Sequence, residues 1–335
     1  MTEPGPVVWL LTDNKPGHRS QLEGLARRLE HHAGACCHWI TATAVHTPLW
    51  RAVLGRARQP AYPTPGLIIA AGSGTHRLLL GVRRLAPTVV LMKPGFPISL
   101  VDAVITPRHD RPRPRRNLLQ TTGTLNAMEP QPSLTRCKRA LVLIGGPSRH
   151  FEWNEDQVAT QLQHLIESHP QWQWTISDSR RTPTTATARL KQLCNPTVTL
   201  VTHDQTEPGW LARELTRTRF VWVTPDSSTM VSEAITAGVP TALFTLNSRP
   251  GSRVASGISD MQDEGLAMSW QAGLATMNQS DPSRPQLWEA DRAARWLLSR
   301  GLLPAGAGTP GKRPTTPGGQ HKSNVNPHQS GDEAQ

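Results

Sequence analysis

A chain of 335 residues is long enough for two ordinary domains, each burying its own core. Its formal net charge of +11, from 36 basic and 25 acidic residues, favours an anionic partner: a nucleotide, a nucleic acid or the phosphate face of a membrane. Four cysteines (Cys36, Cys37, Cys137 and Cys194), with no C-x-x-C pair, exclude a disulfide framework and fit a reducing compartment.

Val7–Thr12 reads as a first buried strand, running into a loop of turn formers with Asp13 and His18. A helix follows through Leu22, Leu25, Ala26 and Leu29. Such a strand–loop–helix edge is where α/β proteins place ligands, and His18 is a candidate base, with Asp13 a second candidate or a turn cap. His31, His32, Cys36, Cys37 and His38 crowd together, but their spacing is wrong for zinc and no second ligand pair follows, so no metal is expected.

Leu67–Ala71 is a second clear strand, followed by Gly72-Ser-Gly-Thr-His-Arg77 and a helix through Leu78, Leu79 and Val82. Arg77 replaces the third glycine of a dinucleotide fingerprint and the acidic residue about 20 positions on is missing, which excludes NAD. Strands beginning at Thr88 and Val101 precede Lys93 and the segment Pro107-Arg-His-Asp110. The basic loop of Arg111, Arg113, Arg115 and Arg116 has no interleaved aromatics, so sequence-specific nucleic-acid binding is not expected.

The second half repeats the plan. Strands near residues 140–144, 172–177, 197–202, 220–224 and 239–244 alternate with helices near 154–168, 208–215 and 230–237, and with one opened by residues 178–183, Pro183 near its first turn. Residues 251–257 read as a polar loop, and 286–300 as an amphipathic helix. Three strand ends carry the ligand-binding expectation. The first is Gly145, Gly146, Ser148 and Arg149; the second is Ser179, Arg180 and Arg181; the third is Asp226, Ser227 and Ser228, with Met230 and Glu233 in the helix that follows. In an open parallel sheet these loops share one edge. Glycine N–H groups, guanidinium groups and hydroxyls converging there suit a diphosphate, with Glu233 placed to reach a ribose diol. The same strand–serine–helix turn also occurs in doubly wound proteins that bind nothing.

The expected division is 1–127 for an N-terminal domain, 128–137 for a Pro-containing linker, 138–301 for a C-terminal domain, and 302–335 for a disordered Gly/Pro/Ser/Gln-rich tail. No apolar run approaches the roughly 20 residues of a membrane span. The first residues have no basic region and too few apolar residues for a signal peptide. A cytoplasmic protein is expected, or one peripheral on the inner face of the cell membrane.

The segments Trp9-Leu-Leu-Thr-Asp-Asn-Lys-Pro-Gly-His-Arg-Ser-Gln21, Ala103-Val-Ile-Thr-Pro-Arg-His-Asp110, Leu143-Ile-Gly-Gly-Pro-Ser-Arg-His150, Ser177-Asp-Ser-Arg-Arg-Thr-Pro183 and Asp226-Ser-Ser-Thr-Met-Val-Ser-Glu-Ala-Ile-Thr-Ala-Gly-Val-Pro240 together resemble the elongated-mitochondria-type family. That family includes a plant mitochondrial fission factor, and its bacterial members are regarded as candidate glycosyltransferases. The resemblance implies an α/β, GT-B-like fold: two Rossmann-like domains facing a cleft, the acceptor on the N-terminal side and a nucleotide sugar on the C-terminal side. It implies Gly72, Ser73, Lys93, His109 and Asp110 on the acceptor side, although relatives carry a more arginine-rich loop after Ala71. It also implies a metal-independent transfer from a nucleotide diphosphate sugar, used as substrate, to a lipid-linked or envelope-glycan acceptor, with no cofactor; peripheral contact with anionic membrane is the expectation that the basic charge adds. The alternatives are a non-catalytic membrane-recruitment adaptor and a nucleotide-sugar epimerase or hydrolase of the same fold.

Overall fold

The computed structural model describes residues 5–303. Its strands form two parallel sheets. The first contains β1 (Val7–Thr12), β2 (Cys36–Thr41), β3 (Leu67–Ala71), β4 (Thr88–Leu91), β5 (Ala103–Pro107) and β6 (Leu118–Thr121), in the spatial order β2-β1-β3-β4-β5-β6. Its helices are α1 (Pro16–Ala33), α2 (Leu49–Leu54) and α3 (His76–Val82). The second sheet contains β7 (Arg139–Leu143), β8 (Gln173–Ser177), β9 (Val198–Val201), β10 (Phe220–Val223) and β11 (Thr241–Leu243), in the order β11-β10-β7-β8-β9. With it come α4 (Glu155–Ser168), α5 (Thr184–Gln192), α6 (Trp210–Arg217), α7 (Ser228–Thr236), α8 (Arg253–Asp263), α9 (Trp270–Thr276) and α10 (Glu289–Ser299). Residues 122–138, between the sheets, contain neither helix nor strand.

Strand residues alternate between the two faces of each sheet. Val8 and Leu10 of β1 join a core under α1, whereas Trp9 and Leu11 join another under α3. Helices cover both faces, so the central strands β3, β4, β5 and β10 are buried along their whole length, while the edge strands β2 and β9 are only partly buried. In each sheet the strand order reverses beside the first strand, between β1 and β3 and between β7 and β10. The crevices at these two reversals are the usual ligand positions of open α/β sheets.

The final helix departs from the expected division at residue 138. Ala290, Ala293, Ala294 and Leu297 of α10 belong to the core of the first half, beneath α1. Asp291 fixes this return: it accepts from Arg28 Nε at 2.8 Å, His32 Nε2 at 2.7 Å and Arg295 Nε at 2.7 Å. Arg28 also lies over the Trp288 ring, 4.2 Å from its centroid. The chain stays packed as far as Leu303, which is buried in the same core. The rest of the expected tail, residues 304–335, lies outside the described residues.

Residues 251–257 are corrected. α8 begins at Arg253, with the Ser252 hydroxyl accepting from Ala255 N. Gly257 gives that segment its loop-like composition, and it is there because His109 packs against it. A Cβ at Gly257 would stand 2.8 Å from the His109 ring.

Candidate active site

Proline at the first helical position starts α1 directly beyond the β1 loop. There the Asp13 and His18 side chains meet, His18 Nδ1 lying 2.8 Å from Asp13 Oδ1. Burial pushes the Asp13 carboxyl up, but the His18 bond, the Lys15 N–H and the charges of His18 and Lys15 outweigh it, and its pKa lies below the ordinary value. The loop after β3 forms the seat of this pair. Gly72 has φ +90, and a Cβ there would stand 2.4 Å from both Asp13 Oδ2 and His18 Nδ1. The pair therefore sits at the β1/β3 reversal with its geometry fixed on two sides. His76 lies nearby, edge-on to Phe96 at 5.0 Å, and burial lowers its pKa.

In the second half the three predicted loops do converge, but largely on one another. Gly146 N donates to Asp226 Oδ2 at 3.0 Å, and Arg181 Nη2 donates to the same oxygen at 2.8 Å. Gly145 N donates to Thr224 Oγ1 at 2.7 Å. A Cβ at Gly145 would meet Asp226 Oδ2 at 2.2 Å, and one at Gly146 would meet the Arg181 carbonyl at 2.1 Å. Both glycines are thus required by close approach. Arg181 also donates to the carbonyls of Gly146 and Pro147. Gly145, Gly146, Arg181 and Asp226 form a lock across the β7/β10 reversal, and the Asp226 side chain is almost completely buried in it. Ser148 serves its own loop, accepting from His150 N and Phe151 N. Arg149 turns towards His150.

Beside this lock a cavity of about 570 Å³ opens between the halves. Pro16, Gly17 and Ser20 line it from α1; Ser179, Arg180 and Arg181 from the β8 loop; and Ser227, Thr229, Met230 and Glu233 from the start of α7. The helices α1 and α7 both begin here. Neither N-cap residue, Lys15 or Ser227, makes a side-chain capping bond, and neither first turn carries an acid. Two sets of first-turn N–H groups are thereby without a side-chain cap beside the cavity. Ser228 belongs to the same first turn. Among the described residues, Arg180 makes no salt bridge and its exposed side chain lines the cavity. Glu233 is the cavity's acid. Burial pushes its carboxyl up to about 7, against the lowering effect of Ser20, whose hydroxyl donates to Glu233 Oε1 at 3.4 Å across the two halves.

A second compartment of about 280 Å³ shares Ser179, Arg180, Met230 and Glu233 with the first. It runs towards Trp210 and Leu211 and is floored by Asp178, which accepts from His203 Nδ1 at 3.0 Å and from Thr187 Oγ1 at 2.9 Å. Pro16, Gly17, Ser20, His203 and Trp210 are lining residues that the sequence reading missed. Only the convergence of both halves singles out the first three. Trp210, an aromatic opening a helix after a strand end, was a usable signal.

The acceptor-side set is dispersed. Gly72 and Ser73 stand with the Asp13–His18 pair. Lys93 lines a separate cavity of about 370 Å³ with Arg111, Arg113 and Arg115. His109 and Asp110 pack on α8: His109 lies against Gly257 and is buried, which lowers its pKa, and Asp110 faces Arg253 at 3.7 Å. These two residues join the halves and are not on an open face.

The sequence model of the family described as Mitochondrial fission ELM1 matches residues 16–301. No curated protein matches the chain. Among solved structures, the chain is similar to a protein assigned as a UDP-N-acetylglucosamine 2-epimerase from Listeria monocytogenes, at 11% identity and TM-score 0.60 over 88% of this chain and 95% of that one. It is also similar to the UDP-GlcNAc 2-epimerase from Methanocaldococcus jannaschii, at 12% identity and TM-score 0.53 over 88% and 99%. A third is the enzyme of that name from Neisseria meningitidis, solved bound to UDP-GlcNAc, at 10% identity and TM-score 0.50 over 88% and 99%. Likeness at these identities concerns the fold: two parallel α/β halves facing a cleft, the GT-B-like arrangement.

Proposed function

The chain belongs to the mitochondrial fission ELM1 family, and from that premise and the cleft geometry we propose that it binds a nucleoside diphosphate sugar and transfers the sugar to an acceptor hydroxyl held against its N-terminal half. One observation carries the reading: two uncapped helix starts, Arg180 and Glu233 meet in one cavity between the halves. The solved relative from Neisseria meningitidis binds a nucleotide sugar on the same fold, which supports the choice of ligand class.

The diphosphate lies over the first turn of α7, where the N–H groups of Ser228, Thr229 and Met230 and the hydroxyl of Ser227 face negative charge, with Arg180 opposite. The nucleobase takes the smaller compartment against Trp210, Leu211 and Met230. Glu233, between the two compartments, hydrogen-bonds the ribose or the sugar. Asp13 holds His18 through Nδ1 and leaves Nε2 to accept the acceptor's proton. The acceptor oxygen then forms its bond to the anomeric carbon, the bond from that carbon to the diphosphate oxygen breaks, and the departing charge is received by α7 and Arg180. No bound metal is required for these steps.

The test is a thermal-shift screen of the folded protein against UDP, GDP, CMP, dTDP and ADP. One nucleotide at ~100 times its dissociation constant adds about 2.7 kcal/mol, and Arg180→Ala removes most of that shift. His18→Ala keeps the shift and loses transfer by a factor on the order of 10² or more. Absence of a shift with every nucleotide overturns the reading in favour of a recruitment adaptor. Sugar release or rearrangement without an acceptor replaces the transferase with a hydrolase or epimerase.

A further inference from the structure

The charge of this protein is distributed unevenly. Residues 31–128 carry twelve basic side chains against two acidic ones, a surplus of ten in a chain whose net charge is +11. The rest of the chain nearly balances, with twenty-four against twenty-three. No acidic residue occurs between Glu30 and Asp102. The exposed large hydrophobic residues of the described chain lie in the same stretch: Leu49, Trp50, Val53 and Leu54 on α2, then Tyr62 and Leu100.

α2 is where the two distributions coincide. It buries only Ala52, while Leu49, Trp50 and Val53 are each more than half exposed. A six-residue helix with its apolar side in water is unstable by itself, yet this one is anchored. Arg83 of the first half reaches its C-terminal carbonyls, donating through Nη1 to Ala52 O at 2.8 Å and through Nη2 to Val53 O at 2.8 Å. Ala57 N donates to Gly81 O at 2.9 Å just beyond its end. The apolar side chains are therefore presented on a fixed platform. Arginines surround them: Arg51 over the Trp50 ring at 5.0 Å, Arg84 beside Gly55, and Arg56 and Arg58 exposed on the outgoing chain. α2 contributes no lining residue to the cleft cavities.

We propose that α2 and its arginine collar dock the N-terminal half on an anionic lipid bilayer. Leu49, Trp50, Val53 and Leu54 enter the boundary between headgroups and acyl chains, and Arg51, Arg56, Arg58 and Arg84 pair with lipid phosphates. Apolar side chains ringed by cations without acids fit that surface better than a protein partner, whose groove would supply carboxylates in fixed register. Among the described residues no helix is long and apolar enough to cross a membrane, so the contact is interfacial. The inference goes beyond the nucleotide reading and does not depend on it.

The experiment is co-sedimentation of the full chain with phosphatidylcholine vesicles containing about 30 mol% phosphatidylglycerol, against pure phosphatidylcholine, at about 0.1 M salt. Anionic vesicles should bind at least about tenfold more tightly, and raising the salt to about 0.5 M should release the protein. Trp50→Ser with Val53→Ser, and separately Arg56→Glu with Arg84→Glu, should each weaken binding by about tenfold or more. All four positions are exposed, so unchanged melting temperatures and nucleotide shifts confirm that the fold persists. Failure of the wild-type chain to bind anionic vesicles overturns the proposal, as does binding that neither double variant reduces. Self-association relieved by the Trp50/Val53 variant, without vesicle binding, would show instead that the patch joins copies of the chain.

Discussion

Burial pushes the Glu233 carboxyl up to about 7, and the single hydroxyl of Ser20 offsets only part of that shift. The unfolded chain holds this group near its ordinary value of about 4.3. The folded state therefore binds the proton more tightly, and the associated stability is complete below that value and is lost as pH rises through about 7. At roughly 1.4 kcal/mol per pKa unit the loss is on the order of 3 kcal/mol. Glu233→Gln keeps the shape and removes the titration, so it should stabilise the protein at pH ~8 by roughly that amount and leave it little changed at pH ~4. Burial holds His109 and His150 below the usual histidine range, which gives a slope of opposite sign near neutrality. For that reason the informative quantity is the difference between wild type and variant in urea melts at the two pH values. Equal stabilities at both would show that Glu233 meets water or an unrecognised cation. In a nucleotide transferase the same tension has a use, because a ribose hydroxyl replaces water as the partner of the carboxylate.

At the scale of elements, the strands and long helices were legible because they carry strong periodicity. β3 and β10 are apolar throughout, and β1 and β7 are apolar apart from Thr12 and Arg139 at their ends, since helices cover both faces. β2 was missed. It is an edge strand of Cys36, Cys37, His38, Trp39, Ile40 and Thr41, buried only at Ile40, so its composition resembles a polar cluster. α2 was missed for the complementary reason: its apolar residues face solvent and carry no core periodicity. α9 is only seven residues long and buries one glycine. In the site, the converging loops were legible from their glycines and arginines, but not that Asp226 occupies the Gly146 N–H and Arg181. Which polar group satisfies which is a tertiary fact. The return of α10 to the first half is another, and it is testable. Asp291 is held below the ordinary carboxylate range: burial raises it, but the His32 and Arg28 bonds and the charges of Arg28 and Arg295 outweigh burial. Its contribution to stability is present above the unfolded value and lost as pH falls through the folded one. Asp291→Ala leaves the buried Arg28 without its partner and should cost about 3–5 kcal/mol in a denaturant melt at neutral pH. A cost below about 1 kcal/mol would mean that apolar packing alone holds α10 in place.

For the molecule as a whole, the two halves are held together away from the cavity by close backbone approach and a few ion pairs. Arg108 pairs with Glu264, Arg253 faces Asp110 at 3.7 Å, and Asn126 Nδ2 donates to Thr236 Oγ1 at 3.1 Å. Gly123 is the tightest point. It has φ +68, and a Cβ there would stand 2.4 Å from Ser232 Oγ and 2.6 Å from Met261 Cε. Ser232 precedes Glu233 on α7, so this contact sets how far the α7 half stands from the first half, and with it the Ser20–Glu233 approach across the cavity. Gly123→Ala should act as a wedge. The positive φ and the overlap cost about 1–3 kcal/mol of stability, while the separation of the halves weakens any ligand that touches both. A nucleoside diphosphate held by α7 and Arg180 alone would keep its affinity in this variant. A complete nucleotide sugar that reaches Ser20 and the first turn of α1 would lose about tenfold, roughly 1.4 kcal/mol. Titrating diphosphate and diphosphate sugar against wild type and Gly123→Ala therefore separates a ligand confined to the C-terminal half from one that bridges the cleft. Equal losses for both ligands would place the damage in α7 itself. A loss confined to the sugar-bearing ligand is the outcome expected if the two halves act on it together.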